Sequence, residues 1–214
     1  LQVYLHKATR ATEALLINIF RLAADIAGRG GLPSGTPTPV KALFTNRGKV
    51  DISTYLELDD FLLVSTLAAW SRIEDCRGDD ELGELIRMCD TLVNRRRPYR
   101  CVELGEKDYS AGFRIMQHLD SIGSSLRYHC YLDTSQQTVY KGVLYYLGTK
   151  EVEDTLNLAM LVLDSDGECR PIERRSNLLR SLGSERLDVT RLFYDAEYED
   201  EFTDLFNQFG ITRQ

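Results

Sequence analysis

The strongest constraint in this chain is its opening run. Over residues 1–27 apolar side chains recur at helical spacing. At about 100° per residue, Leu5, Ala8, Thr12, Leu15, Leu16, Ile19, Leu22, Ala23 and Ile26 share one broad arc, and His6, Arg10, Glu13 and Arg21 share another. A stripe that wide must be covered, so the run predicts a long helix around which the remaining elements pack. It opens on Leu1, inside the pattern and with no capping residue ahead of it, as expected of a piece of a longer chain. It stops at Gly28, where four Gly and three Pro within residues 28–39 predict a loop.

Further helices are expected over residues 58–72, with Asp59 and Asp60 at the positive end of the helix dipole, and from Asp79 or Asp80 to Pro98. The latter carries Leu82, Leu85, Ile86, Cys89, Leu92 and Val93 on its inner face and ends on Arg95, Arg96 and Arg97. Beyond residue 106 the signals mix. A helix is expected over 109–123, then strands over 126–133 and 138–147 joined by a polar turn at 134–137, then a short helix over 151–157. A hairpin turning at Asp166-Gly167 follows, with arms at 159–163 and 168–172. A helix capped by Ser176 through Leu182, a strand over 187–194 and an acidic amphipathic helix over 199–209 complete the chain. The fold class expected is α+β, mostly helical. Its domains are a helical part over 1–105 and a smaller α/β lobe over 106–214.

Composition narrows the function classes. With 43% hydrophobic and 28% charged residues the chain is an ordinary globular one. Its 26 Lys and Arg stand against 33 Asp and Glu, a net charge of −7, so bulk nucleic-acid binding would be repelled. No apolar run approaches the length of a membrane span, so no membrane partner and a cytoplasmic location are expected. The cysteines, Cys76, Cys89, Cys101, Cys130 and Cys169, form no C-x-x-C pair and read as buried or half-buried thiols in a reducing compartment.

Catalytic motifs are sparse. His6, His118 and His129 stand in no H-E-x-x-H or His-Asp pair, and there is no phosphate-binding glycine loop. Two basic clusters remain. Tyr4, His6, Lys7 and Arg10 form a polar arc opposite the apolar one, suited either to a phosphorylated base or to plain solvation of a helix face. Arg95, Arg96, Arg97 and Arg100 suit either bidentate phosphate binding or complementation of a helix C-terminus.

The stretch Val3-Tyr4-Leu5-His6-Lys7-Ala8-Thr9-Arg10-Ala11, continuing into Glu13-Ala14-Leu15-Leu16, resembles the Tyr-x-His-Lys helix of HD-domain phosphohydrolases. That group includes the deoxynucleoside triphosphate triphosphohydrolases. The order that follows is similar too: Tyr55-Leu56-Glu57-Leu58-Asp59-Asp60, a helix with Trp70, and Arg96-Arg97-Pro98-Tyr99-Arg100. Residues 128–141 and 166–176 look like the family's C-terminal α/β region. The resemblance implies that Tyr4 lies beside a substrate's sugar and base. It implies that His6 and Lys7, with Arg96 and Arg100, bind a nucleotide between subunits of a homo-oligomer. Arg10 joins this phosphate-binding set through the polar arc. Gln2 and Leu5 depart from the basic and polar residues that the nucleotide-regulated members carry.

The family's divalent metal is held by a His, a His-Asp pair and an Asp on preceding helices, so no metal ligand is expected in this chain and the ion is expected in a missing N-terminal half. The chain thus reads as the C-terminal part of a metal-dependent phosphohydrolase acting on a (deoxy)nucleoside triphosphate or another phosphate ester, inactive alone. The alternative is a noncatalytic protein-interaction or nucleotide-sensing module.

Overall fold

The opening run folds as α1 (Lys7–Gly28) in a computed structural model that describes residues 6–46, 48–74, 81–96, 99–105, 108–138, 160–182 and 186–211. Its buried face is the expected stripe, with Leu15, Ile19, Leu22, Ala23 and Ile26, plus one polar residue, Asn18. Each large aliphatic side chain there contributes about 2 kcal/mol of burial. Around α1 pack α2 (Thr38–Thr45), α5 (Glu81–Val93) and β1 (Tyr99–Leu104), and α4 (Asp60–Trp70) packs on α5.

Two short helices were not expected. The reading of residues 28–39 as loop runs two residues too far, because Pro39 falls in the first turn of α2, where its missing N–H would have had no partner in any case. Val40 and Phe44 of α2 enter the core, with Phe44 edge-on to Phe20 at 5.4 Å. The loop before α2 is tied down by Trp70, whose Nε1 donates to Thr36 Oγ1 at 3.1 Å. The second, α3 (Ile52–Glu57), is set by its cap: the Asp51 carboxylate accepts the Thr54 N–H at 2.9 Å. Asp59 does the same for Leu62 at 2.7 Å, which starts α4 two residues later than periodicity suggests.

The sheet has the order β1, β5 (Arg186–Asp195), β2 (Cys130–Thr138). Alternation divides it between two cores. Tyr99, Phe193 and the half-buried Cys101 and Tyr131 face α1 and α5. Val102, Leu104, Cys130, Leu192 and Tyr194 face α6 (Tyr109–Ser121) and α8 (Glu199–Phe209), which supply Ile115, Leu119, Phe202 and Phe206. Gly112 lets α6 approach the sheet: a Cβ there would stand 2.6 Å from Leu104 Cδ1 and 2.9 Å from Leu132 Cδ1.

The strand expected over 126–133 is corrected. Ser124 accepts the Leu126 N–H and opens a 3-10 turn over Ser125–Tyr128, so β2 begins only at Cys130. The turn expected at 134–137 is also absent, since β2 runs through it. Thr-Ser-Gln-Gln contains no Gly, Pro, Asn or Asp, and its polarity marks neither reversal nor break. β1 was not anticipated, because cover on both faces blurs its alternation. The expected strand beyond 138 and the helix over 151–157 lie outside the described residues.

Contacts divide the chain into two compact units, one of Thr134–Thr190 and the other of the residues up to Asp133 together with those from Arg191 onward. The first unit holds the expected hairpin, β3 (Leu161–Leu163) antiparallel to β4 (Cys169–Pro171) with Val162 opposite Arg170. It also holds α7 (Asn177–Leu182), where Ser176 Oγ accepts the Leu179 N–H. The architecture is α+β and mostly helical. Among the described residues no helix is long and apolar enough to cross a membrane.

Candidate functional site

A cleft of about 560 Å³ opens where the start of α1 meets the end of α5. At the α1 side His6 is the N-cap, its Nδ1 accepting the Ala8 N–H at 3.2 Å, which leaves Nε2 as the free nitrogen of the ring. Lys7 follows in the first turn, where exposed backbone N–H groups and the helix dipole favour an anion. The facing wall is the end of α5. There the Arg96 N–H donates to Thr91 O at 3.0 Å and the Arg95 N–H to Leu92 O at 3.2 Å, a turn that places Arg95 at φ 52°. An arginine held in the left-handed region costs about 1 kcal/mol relative to glycine. The dipole at this end repels an anion, and the side chains of Arg95 and Arg96 reverse that sign. Leu15, Leu92, Tyr99, Cys101 and Phe193 form an apolar floor.

The cations differ in their commitments. Lys7 pairs with Glu103 at 3.2 Å, and Arg191 donates to the same carboxylate at 3.0 Å. Burial raises the pKa of Glu103, but these two cations outweigh it and hold the carboxyl below the ordinary value. Arg96 pairs with Asp90 at 3.2 Å. Among the described residues no carboxylate lies within ion-pair range of Arg95. Exposed pairs of this kind are worth at most about 1 kcal/mol, so an entering phosphate can take over Lys7 and Arg96. The Cys101 thiol is pushed up mainly by burial, against the pull of Lys7 and Arg191, and is protonated at neutral pH rather than a nucleophile. Tyr99 is fixed from behind: Asn18 Nδ2 donates to its hydroxyl at 2.9 Å and the hydroxyl donates to Tyr128 O at 3.2 Å.

Of the residues singled out from sequence, His6, Lys7, Arg95 and Arg96 meet in this cleft. Tyr4 lies outside the described residues. Arg10 sits one turn further along α1, its Nε donating to Asp133 Oδ2 at 2.9 Å and a terminal nitrogen bound to Glu13. Arg100 pairs with Glu199 at 3.2 Å. Sequence reasoning missed Tyr99, Cys101 and Phe193 as lining residues. The signal that finds them is the alternation of β1 and β5, once each is known to be a strand.

A second polar cluster gathers around the buried His129 and Asp195. His129, 1% exposed, has Nε2 at 3.4 Å from Glu84 and Nδ1 at 3.4 Å from Asp195, and its ring stacks on Tyr198 at 4.3 Å. Arg87 bridges the carboxylates, at 2.5 Å from Glu84, 3.0 Å from Asp195 and 2.7 Å from Glu197. Burial opposes the charge on Arg87, yet Glu84 and Asp195 raise its pKa above the ordinary value. Asp195 is pushed up by burial and, more strongly, down by His129, the Glu197 N–H and Arg87, for a net lowering. Arg87 thus already supplies the positive charge that a metal would bring. Among the described residues no group of three or more His, Cys, Asp or Glu could hold a metal ion.

No family model matches the chain. Over 194 residues, 90% of this chain and 41% of the relative, it is 25% identical to the uncharacterized protein YwfO of Bacillus subtilis (strain 168). Its fold is similar to the crystal structure of a phosphohydrolase from Bacteroides thetaiotaomicron VPI-5482, with a TM-score of 0.61 and 20% identity over 91% of this chain and 46% of that one. The chain spans less than half the length of each. At that identity the likeness is one of fold, and the fold is phosphohydrolase-like.

Proposed function

We propose that this chain is part of an HD-type phosphohydrolase acting on (deoxy)nucleoside triphosphates, and that the α1/α5 cleft binds a nucleotide through its phosphates. The observation that carries this reading is the cleft itself: Lys7, Arg95 and Arg96 surround an apolar and aromatic floor in a chain whose net charge is −7. A bare phosphate needs the cations but not the floor, and an apolar ligand needs the floor but not the cations. A nucleotide uses both.

In this reading Lys7 leaves Glu103 to meet a phosphate oxygen, Arg95 and Arg96 bind the neighbouring phosphates bidentately, and His6 donates from Nε2 while Nδ1 stays committed to Ala8. The base lies against Leu92 and Tyr99. Tyr4 contributes to the sugar and base contacts, and Arg10 and Arg100, held by Asp133 and Glu199, brace the surrounding walls. The described residues do not fit the divalent metal of such an enzyme, so no hydrolytic step is assigned to them and the ion would be held by other residues. The phosphohydrolase-like fold supports the hydrolase class.

Calorimetric titration with a panel of deoxynucleoside triphosphates tests the binding role. Lys7→Ala and Arg96→Ala should each weaken binding about tenfold or more, the loss of one charged hydrogen bond. A double variant that binds as tightly as the parent removes the cleft from the reading.

A further inference from the structure

Lys7, one of the cations of the α1/α5 cleft, is held by a carboxylate from the sheet. Tyr99, Cys101 and Glu103 alternate along β1 onto one face, and Phe193 and Arg191 do the same along β5, so the strands that supply the apolar floor also supply an acidic and a basic side chain beside it. Glu103 meets two cations of unlike character. Arg191, only 10% exposed, donates to Oε1 from Nε at 3.1 Å and from a terminal nitrogen at 3.0 Å. The Lys7 ammonium reaches the same oxygen at 3.2 Å, and here both partners are more than half exposed, at 59% and 53%. A planar fork shielded from water is the stronger hold, and a single contact from a flexible, solvated chain is the one that gives way.

Lys7 can therefore leave without stranding a charge, because Glu103 keeps Arg191. On the facing wall, Arg95 has no carboxylate within ion-pair range among the described residues. A single phosphate meets Arg95 and displaces nothing. A chain of phosphates that continues across the cleft to Lys7 has to take the ammonium from Glu103. Resting on the reading of this cleft as a phosphate site, we propose that Glu103 is its specificity-determining residue, a resident anion on Lys7 that a polyphosphate displaces and a single phosphate does not. Specificity here comes from a built-in competitor rather than from an added contact. Glu103 itself touches no ligand and acts through Lys7.

The test titrates the 214-residue protein with inorganic tripolyphosphate and with orthophosphate by calorimetry, at about 0.05 M NaCl to limit screening. Glu103→Gln keeps an oxygen for Arg191 and frees Lys7. It should tighten tripolyphosphate about fivefold, the equivalent of about 1 kcal/mol for an exposed pair, and leave orthophosphate within about twofold. In a Lys7→Ala background the gain should vanish, since no ammonium remains to be released. Thermal unfolding verifies that the variants fold, and the parent gives a readout that needs no substitution: the side-chain carboxyl 13C resonance of Glu103 should move on saturation with tripolyphosphate. A resonance that stays in place overturns the proposal, as does an unchanged tripolyphosphate affinity of Glu103→Gln or an equal gain for orthophosphate. A gain that persists in Lys7→Ala reports only the loss of a nearby negative charge and overturns it too. The nucleotide reading fails separately: a deoxynucleoside triphosphate that binds no more tightly than tripolyphosphate, with the Glu103→Gln gain intact, upholds the exchange at Lys7 and denies the floor its part. Tripolyphosphate that binds neither parent nor Glu103→Gln overturns both.

Discussion

Replacing Asn18 with alanine strikes the point where α1, β1 and β2 are joined. Asn18 is fully buried in an otherwise apolar stripe, and its carboxamide is fully used. Nδ2 donates to the Tyr99 hydroxyl at 2.9 Å and to Cys130 O at 3.0 Å, and Oδ1 accepts from Arg21 at 3.3 Å. Two neutral hydrogen bonds are worth about 1 kcal/mol each net, and a buried carbonyl left without its donor adds about 1–3 kcal/mol. The small cavity left by the carboxamide adds to this. The sum is a loss of about 3–5 kcal/mol. With a urea m-value of about 2 kcal/mol/M, the midpoint should fall by about 1.5–2.5 M. Trp70 is the only tryptophan and lies in the same core as α1, so its fluorescence reports the unfolding of that unit. Tyr99→Phe should cost about 1 kcal/mol, and the double variant should fall short of the sum by about 1 kcal/mol, because the shared bond can be lost only once. A loss below about 0.5 kcal/mol for Asn18→Ala, or strict additivity with Tyr99→Phe, would refute the reasoning that this network ties the cleft floor to the core.

Arg95→Gly removes a side chain from a left-handed position and should stabilise the fold by up to about 1 kcal/mol, read as a rise in Tm, while weakening nucleotide binding in calorimetry. A variant with both properties unchanged would show that the guanidinium serves neither. Asp195 has a folded pKa below its ordinary value of 3.8, so its contribution is complete above that value and is lost as pH falls through the lowered one. Urea midpoints should therefore drop below about pH 4. Asp195→Asn should be less stable than the parent at pH 7, because Arg87 loses a buried partner, and should show a flatter acid limb. A parent and variant with parallel pH profiles would assign the acid limb to other carboxylates.

The long helices and the Asp166-Gly167 hairpin were legible because their signals are local. A wide apolar stripe, a dipole-matched first turn and an Asp-Gly reversal each fit inside a window of the chain. The elements misread lacked such windows. α3 buries nothing, so no stripe announces it, and only Asp51 marks its start. β1 is covered on both faces, so apolar residues on consecutive positions, Cys101 and Val102, hide the alternation. Ser124 turned a promising strand into a 3-10 turn with one hydrogen bond.

The site was legible to the same depth. His6, Lys7 and Arg10 share one polar arc, and helical spacing gives all three the same face. What separates them is the opposing surface. Arg10 meets Asp133, 123 residues away in sequence and almost fully buried, so its charge is cancelled where it stands. Lys7, three residues earlier, meets the exposed Glu103, which Arg191 already shares. Across the cleft stands Arg95, with no carboxylate in ion-pair range among the described residues. Periodicity assigns a charge to a face, but only the fold decides whether that charge is already neutralised. For the same reason the Arg run at the end of α5 need not be either helix complementation or phosphate binding. Arg96 pairs with Asp90 of the preceding helix and still lines the cleft, so a ligand that releases it gains a cation at the loss of only a weak surface pair.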